Sequence, residues 1–335
     1  MSSMVKEYVL ESRAGSGAMG VVYKARHRTL NRAAAVKVLH KQHSSNSELR
    51  IRFCNEARAM SGLSHPNIVS LYDFVDEGHT LALVMEYIDG KPLDEIIENE
   101  TGPIPYERAL GLFRQMLEGM SYAHARGMIH RDIKPSNIMV TADDRVKILD
   151  LGLALAQDSK RLTQVGAKMG TMFYMALELL TGPNHSVQSD IYALAMTLYE
   201  MLSGAMPLDN PESSDFMIMN QIMKEELPDP REYYPHIPTW LVNLLKRSLS
   251  KDPAKRYSSC DDMLVELDTN RGNEDFDEPD SMLYLENAEM EISPDPPDYY
   301  QSSSGSNVIL RSIFSLIGAF FIYLVTMQLV FGVFD

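Results

Sequence analysis

The chain has 335 residues, 45% hydrophobic and 23% charged, with a net charge of −15. These values suit a globular protein of about two domains and exclude a wholly disordered, collagen-like or multi-span membrane chain. The acidic balance excludes a surface for nucleic-acid backbone, which needs clustered Lys and Arg. The two cysteines, Cys54 and Cys260, stand in no CxxC, which excludes a disulfide scaffold or a cysteine zinc site and fits a reducing compartment.

No apolar leader opens the chain, so no secretory signal is predicted. Tyr8–Glu11, Val21–Arg26 and Ala33–Leu39 read as short strands. Leu49–Leu63 has helical spacing and carries Ile51, Glu56 and Arg58. Two further strands follow at Leu71–Val75 and Leu81–Tyr87. From Tyr106 the pattern changes: Leu110, Phe113, Leu117, Met120 and His124 recur every three or four residues, a long helix opening after Pro105. Ile191–Ser203 and Trp240–Leu249 are later apolar helices. A small strand-rich part therefore precedes a larger helical part.

Residues 268–306 hold eleven acidic residues against one arginine, three prolines from Pro294 to Pro297, and a serine-rich end. Too few periodic apolar residues remain to form a core, so a disordered linker is expected, with a short helix at 282–290 as the lesser alternative. Residues 312–334 carry no charge. As a helix they would be about 35 Å long, enough for the roughly 30 Å hydrocarbon core, and a single membrane span is expected. The organisation read from sequence is a folded domain at 8–267, a linker at 268–307 and a span with its C-terminus at 308–335. Ser315 and Ala319 are a small-residue pair in that span and leave a homodimer open.

Gly15-Ser16-Gly17-Ala18-Met19-Gly20 is a GxGxxG. Glycines let a backbone approach phosphates and turn N–H donors toward them. A dinucleotide turn should open a helix, whereas Val21-Val22-Tyr23 reads as a strand. A flap over a triphosphate fits better, with a plain hairpin as the bland alternative. Lys37 lies inside the apolar strand Ala35-Val36-Lys37 and needs either water or an anion. Glu56 on the next helix is a candidate partner, which would leave Lys37 to hold phosphate oxygens.

His130-Arg131-Asp132-Ile133-Lys134-Pro135-Ser136-Asn137 sets a carboxylate, an ammonium and an amide in a loop that Pro135 keeps non-helical. Val146-Lys147-Ile148-Leu149 then reads as a strand delivering Asp150 at a turn ended by Gly152. Asp150 and Asn137 can ligate Mg²⁺. Asp132 can accept the proton of an attacking hydroxyl. Lys134 can offset charge on a transferring phosphoryl group.

On these motifs residues 8–267 resemble the eukaryotic-type (Hanks-type) serine/threonine protein kinases, most closely the bacterial transmembrane members. The matching segments are GxGxxGxV at 15–22, Ala35-Val36-Lys37, Glu56, HRDIKPSN at 130–137, Asp150-Leu151-Gly152 and SDIYAL at 189–194. The resemblance implies an α+β, two-lobed fold with ATP in the cleft, Mg²⁺ or Mn²⁺ as metal, and Ser/Thr side chains of proteins as acceptors. It implies that Gly15, Ser16, Gly17, Ala18 and Gly20 cover the phosphates, and that Lys37, positioned by Glu56, holds them. Asp132 is then the base, Lys134 meets the γ-phosphate, and Asn137 and Asp150 bind metal. Val22, Ala35 and Met139 sandwich adenine beside the gatekeeper Met85, and the backbones of Glu86 and Ile88 meet its edge. Met60, Leu71, His130 and Leu151 stack as a spine, and Asp190 braces the catalytic loop. Glu178 pairs with Arg256 to anchor the activation segment, and Thr163 is its candidate autophosphorylation site.

The chain departs from the family at Leu151, at Leu177 in place of proline, and at Ala195 in place of glycine. A nucleotide-binding pseudokinase or scaffold is the alternative, although Lys37, Asp132 and Asp150 are all present. A small-molecule phosphotransferase of the same fold is a third reading. The kinase domain is expected on the cytoplasmic side of a cell membrane, and no nucleic acid is expected as a partner.

Overall fold

The computed structural model describes residues 4–17, 20–40, 47–77, 80–151, 169–182, 185–206 and 227–274. The chain divides into a unit of residues 1–273 and a unit of residues 274–335, and the described elements lie in the first, with only Glu274 beyond it. The linker and span expected at 275–335 lie outside the described residues. Among the described residues no helix is long and apolar enough to cross a membrane.

An antiparallel six-stranded sheet forms the upper lobe. Its strands are β1 (Met4–Val5), β2 (Tyr8–Ser16), β3 (Gly20–His27), β4 (Ala33–Leu39), β5 (Leu71–Glu77) and β6 (Thr80–Glu86). Their order is β1-β2-β3-β4-β6-β5. Helix α1 (Ser47–Ser61) covers one face. Side chains alternate across a strand, and the two faces separate accordingly. Val36, Ala82 and Val84 join Val5, Tyr8, Ala25, Ala34 and Val75 on one side. Leu39, Leu81, Leu83 and Met85 meet Phe53, Ala57 and Met60 of α1 on the other. Lys37 pairs in register with Leu83 and is only 8% exposed, so its ammonium sits at an apolar face.

The lower lobe is helical. It begins with β7 (Gly90–Pro92), the short α2 (Leu93–Ile96) with a π-helical turn at Ile97–Thr101, and α3 (Tyr106–His124). Next come β8 (Ile138–Thr141) and β9 (Val146–Ile148), which form a three-stranded sheet in the order β7-β8-β9. Then follow α4 (Leu177–Thr181), α5 (Val187–Ser203), α6 (Thr239–Ser248) and α7 (Cys260–Glu274). Phe113, Met116, Leu117 and Met120 of α3 pack with Leu194 and Leu198 of α5 and Leu241, Leu244 and Leu245 of α6. Each such side chain contributes about 1.5–3 kcal/mol by leaving water.

Helix α5 is buried nearly all round, as its apolar sequence requires. Its start is set by a capping box between Ser186 and Ser189, its end by Gly204 in the left-handed region at φ 76°. A Cβ at Gly204 would lie 2.4 Å from the Pro103 nitrogen.

The long elements follow the sequence reading to within a few residues. The shorter ones carry no periodicity: β1, β7, β8, α2 and α4 are not read from the sequence, nor is α7. Helix α7 runs to Glu274, seven residues past the boundary read at 267. Ala195 is fully buried in the main core, so the methyl group in place of a glycine is accommodated there.

Candidate active site

The glycine-rich turn lies between β2 and β3. Gly15 and Ser16 belong to β2 and pair with Val22 and Val21, so the strand runs further than its expected end at Glu11. The Gly17 amide donates to the Gly20 carbonyl at 2.9 Å. A Cβ on Gly15 or Gly17 would meet nothing within 4 Å, whereas one on Gly20 would lie 2.2 Å from the Val38 carbonyl oxygen. Gly20 is therefore glycine because β4 passes close beside it, a reason the motif alone does not reveal. Ala18 lies outside the described residues.

Lys37 Nζ donates to Asp150 Oδ1 at 2.8 Å, joining β4 of the upper lobe to the turn after β9. Glu56 lies on α1, but its side chain is outside the described residues. Val22 pairs with Lys37 and Ala35 with Met85, so Val22, Ala35 and Lys37 line one face with the buried Met85 beside them. Met139 rises from β8, paired with Lys147. Ile88 follows β6 and is half-buried.

Glu86 has a contact the sequence did not suggest. Its carboxylate accepts from Lys147 Nζ at 2.8 Å and from the Ser70 amide at 3.2 Å. Lys147 sits on β9, so this ion pair ties the link between the lobes to the lower sheet. The Val69 amide also donates to the Ile148 carbonyl at 3.0 Å.

The catalytic-loop candidates converge on Asp132. Lys134 Nζ lies 3.0 Å from its carboxylate. Asn137 Nδ2 donates to the Asp132 carbonyl at 2.7 Å and to its Oδ2 at 3.0 Å. The Leu149 amide donates to the Asn137 carbonyl at 2.9 Å, which holds Asn137 beside the strand that leads to Asp150. Arg131 and Asp150 both have left-handed backbones, at φ 72° and 53°. Such conformations cost roughly 1–3 kcal/mol for a non-glycine residue and persist where the surroundings enforce them.

For the Arg131 turn the enforcing group is Asp190, only 2% exposed on α5. Its carboxylate accepts from the His130 amide at 2.8 Å, the Arg131 amide at 2.9 Å and His124 Nε2 at 2.9 Å. His130 has a structural role: Nδ1 accepts from the Asp132 amide at 3.3 Å and Nε2 donates to the Leu149 carbonyl at 2.9 Å. Met60 is buried with Leu71 packed in the same upper core, whereas Leu151 is buried in the lower core. His124 was legible only as a face of α3; nothing in the sequence pairs it with a residue 66 positions on. Beside this turn, burial and the Arg131 charge lower the His185 pKa.

Arg256 is buried and meets Glu178 through two hydrogen bonds, at 2.7 and 2.9 Å. It also donates to the Gln188 and Ser250 carbonyls. Thr163 lies outside the described residues.

The donor set suits a hard divalent cation. Asp150 offers a carboxylate, and Asn137, with its Nδ2 spent on Asp132, offers an amide oxygen. Among the described residues no cluster of three or more His, Cys, Asp or Glu forms a metal cage. A cation here would share its shell with phosphate oxygens and water, the usual habit of Mg²⁺.

The model of the protein kinase domain family matches residues 8–266. The probable serine/threonine-protein kinase CPE1738 of Clostridium perfringens is 36% identical over 261 residues, 78% of this chain and 38% of that protein. Serine/threonine-protein kinase PrkC of Bacillus subtilis is 34% identical over 255 residues, 76% of this chain and 39% of its own length. The chain thus spans about two fifths of the curated relatives it matches. The crystal structure of the Mycobacterium tuberculosis PknI kinase domain superposes with a TM-score of 0.62 at 27% identity, covering 80% of this chain and 98% of that one.

Proposed function

The chain belongs to the protein kinase domain family, and from that premise we propose that it transfers the γ-phosphate of ATP to serine and threonine hydroxyls of proteins. The observation that carries this reading is the Lys37–Asp150 ion pair across the lobes, together with an Asp132 carboxylate bonded to Lys134 and Asn137. Lys37 binds phosphate oxygens from the apolar face of β4. Asp132 orients the acceptor hydroxyl and takes its proton, and Lys134 offsets charge on the moving phosphoryl group. Asn137 and Asp150 hold Mg²⁺ or Mn²⁺, which when bound neutralises phosphate charge. Val22, Ala35, Met85 and Met139 enclose the adenine, with the backbones of Glu86 and Ile88 at its edge.

The deciding measurement is transfer of labelled γ-phosphate to mixed Ser/Thr peptides. The wild-type chain is active, and Asp132→Asn falls by at least about 100-fold, the range for loss of a general base, while still binding a fluorescent ATP analogue. An inactive wild type that still binds nucleotide supports the scaffold reading instead.

Thr163 serves as the autophosphorylation site in this reading. Arg131 precedes Asp132, Lys160, Arg161 and Lys168 are near Thr163 in sequence, and a phosphate accepts charge-assisted hydrogen bonds from guanidinium groups. Phosphopeptide mapping of the autophosphorylated chain decides this. The uncharged run at 312–334 anchors the chain in a cell membrane with the kinase domain cytoplasmic, where ATP is, and Arg311 on that side. Fractionation of cells expressing the chain with and without residues 308–335 tests the anchor.

A further inference from the structure

Cys260 opens α7 and is 1% exposed. Its Sγ lies 3.6 Å from Nδ1 of His124, the last residue of α3. The other ring nitrogen, Nε2, lies 2.9 Å from Asp190 Oδ2. Asp190 in turn accepts the His130 and Arg131 amides. The three side chains form one line from the start of α7 to the residue before Asp132. Cys260 and His124 are 136 positions apart. The Ser121 hydroxyl donates to Asp261 Oδ1 at 2.6 Å, so the start of α7 is pinned to α3 beside this line.

The chemistry of the line is constrained. A carboxylate only accepts, so His124 serves Asp190 only with a proton on Nε2. In the neutral ring Nδ1 then carries a lone pair, and the group facing it is the Cys260 thiol, a weak donor. Burial raises the Cys260 pKa well above the ordinary thiol range, so the thiol keeps its proton. The opposite tautomer would set the Nε2 lone pair against Asp190 Oδ2 and cost Asp190 one of its three partners. The two loop amides it holds would then be less firmly placed, and the left-handed Arg131 backbone with them.

We propose that Cys260 is a positioning residue for the catalytic loop: its S–H donates to His124 Nδ1 and fixes the Nε2–H tautomer through which Asp190 is held against the His130 and Arg131 amides. The thiol touches no substrate and acts through His124 and Asp190. In kinetic terms the inference rests on the phosphotransfer reading. The ring tautomer is a readout that does not depend on it.

The test uses the full chain as wild type, Cys260→Ala and Cys260→Ser, with histidine ring ¹⁵N shifts, kcat, KM for ATP and unfolding midpoints. The His124 signal is assigned by its loss in His124→Gln. The wild type shows the Nε2–H tautomer. Cys260→Ala shows tautomer mixing and a kcat lower by about 3- to 10-fold, the fold-change matching loss of one modest hydrogen bond, with KM for ATP unchanged. Cys260→Ser restores a donor, and with it both the tautomer and kcat, whatever its unfolding midpoint. A wild-type His124 protonated on Nδ1 or on both nitrogens overturns the proposal. So does an alanine variant as fast as wild type, or a serine variant as slow as alanine. A wild type without transfer activity removes the kinase reading, and the ring shifts of the three chains still decide the tautomer.

Discussion

Glu178 and Arg256 face each other through two hydrogen bonds of 2.7 and 2.9 Å, although 78 residues separate them. The arginine side chain is fully enclosed and the glutamate 22% exposed. Arg256 also donates to the Gln188 and Ser250 carbonyls, so one guanidinium ties α4, α5 and the segment before α7 together.

Arg256→Ala therefore leaves Glu178 without its guanidinium and takes one donor from each of the Gln188 and Ser250 carbonyls. The expected loss is about 3–5 kcal/mol, the usual result of removing one partner of a buried pair. Arg256→Lys keeps the charge but not the two-pronged geometry and recovers only part of it. Urea midpoints of the three chains measure this; an alanine variant within about 1 kcal/mol of wild type contradicts it.

Leu177 is the first residue of α4, where a backbone N–H has no acceptor within the helix and proline is favoured. The preceding Ala176 has φ −66° and ψ 146°, the extended conformation that a following proline demands. Leu177→Pro is expected to keep activity and to gain about 0.4–1 kcal/mol by restricting the unfolded chain. Thermal unfolding and peptide phosphorylation check both parts.

Gly20 and Gly15 share one motif but not one environment. Gly20→Ala drives a methyl group into the Val38 carbonyl and should cost about 1–3 kcal/mol, as overpacking does. Gly15→Ala has open space and should stay within about 0.5 kcal/mol of wild type. Equal losses in parallel denaturation curves would refute the distinction.

Asp229 accepts from the Arg231 amide and side chain, and that guanidinium depresses its pKa from 3.8 to about 2. A depressed folded value means the ionised form is favoured by folding. Its contribution is complete above the unfolded pKa of 3.8 and vanishes as pH falls to about 2. The stability gap between wild type and Asp229→Asn should close across that window. A gap independent of pH between 4 and 2 would show that the pair contributes nothing through ionisation.

Much of the site was readable from the chain because its chemistry is local. Asp132, Lys134 and Asn137 are five residues apart at most, and Pro135 keeps their loop from becoming a helix, so the composition of the loop already placed them together. The alternation of β4 and β6 and the spacing of α3 were likewise written in residue order, since a strand or a helix face repeats over a few positions. The short β7 and α2 were not readable, having too few residues to show a period. Helix α7 was not foreseen, because it is rich in polar residues and only part of one face is buried.

Only the tertiary structure decided the long-range partners. Lys37 meets Asp150 across 113 residues, His124 meets Asp190 across 66, and Cys260 meets His124 across 136. No local pattern encodes such pairs, because each requires separate helices and sheets to pack until two polar groups must share a dry space. There a buried donor or acceptor without a partner costs about 1–3 kcal/mol. The sequence names the candidate groups for the chemistry; the packing of α3, α5 and α7 determines which other groups hold them in place.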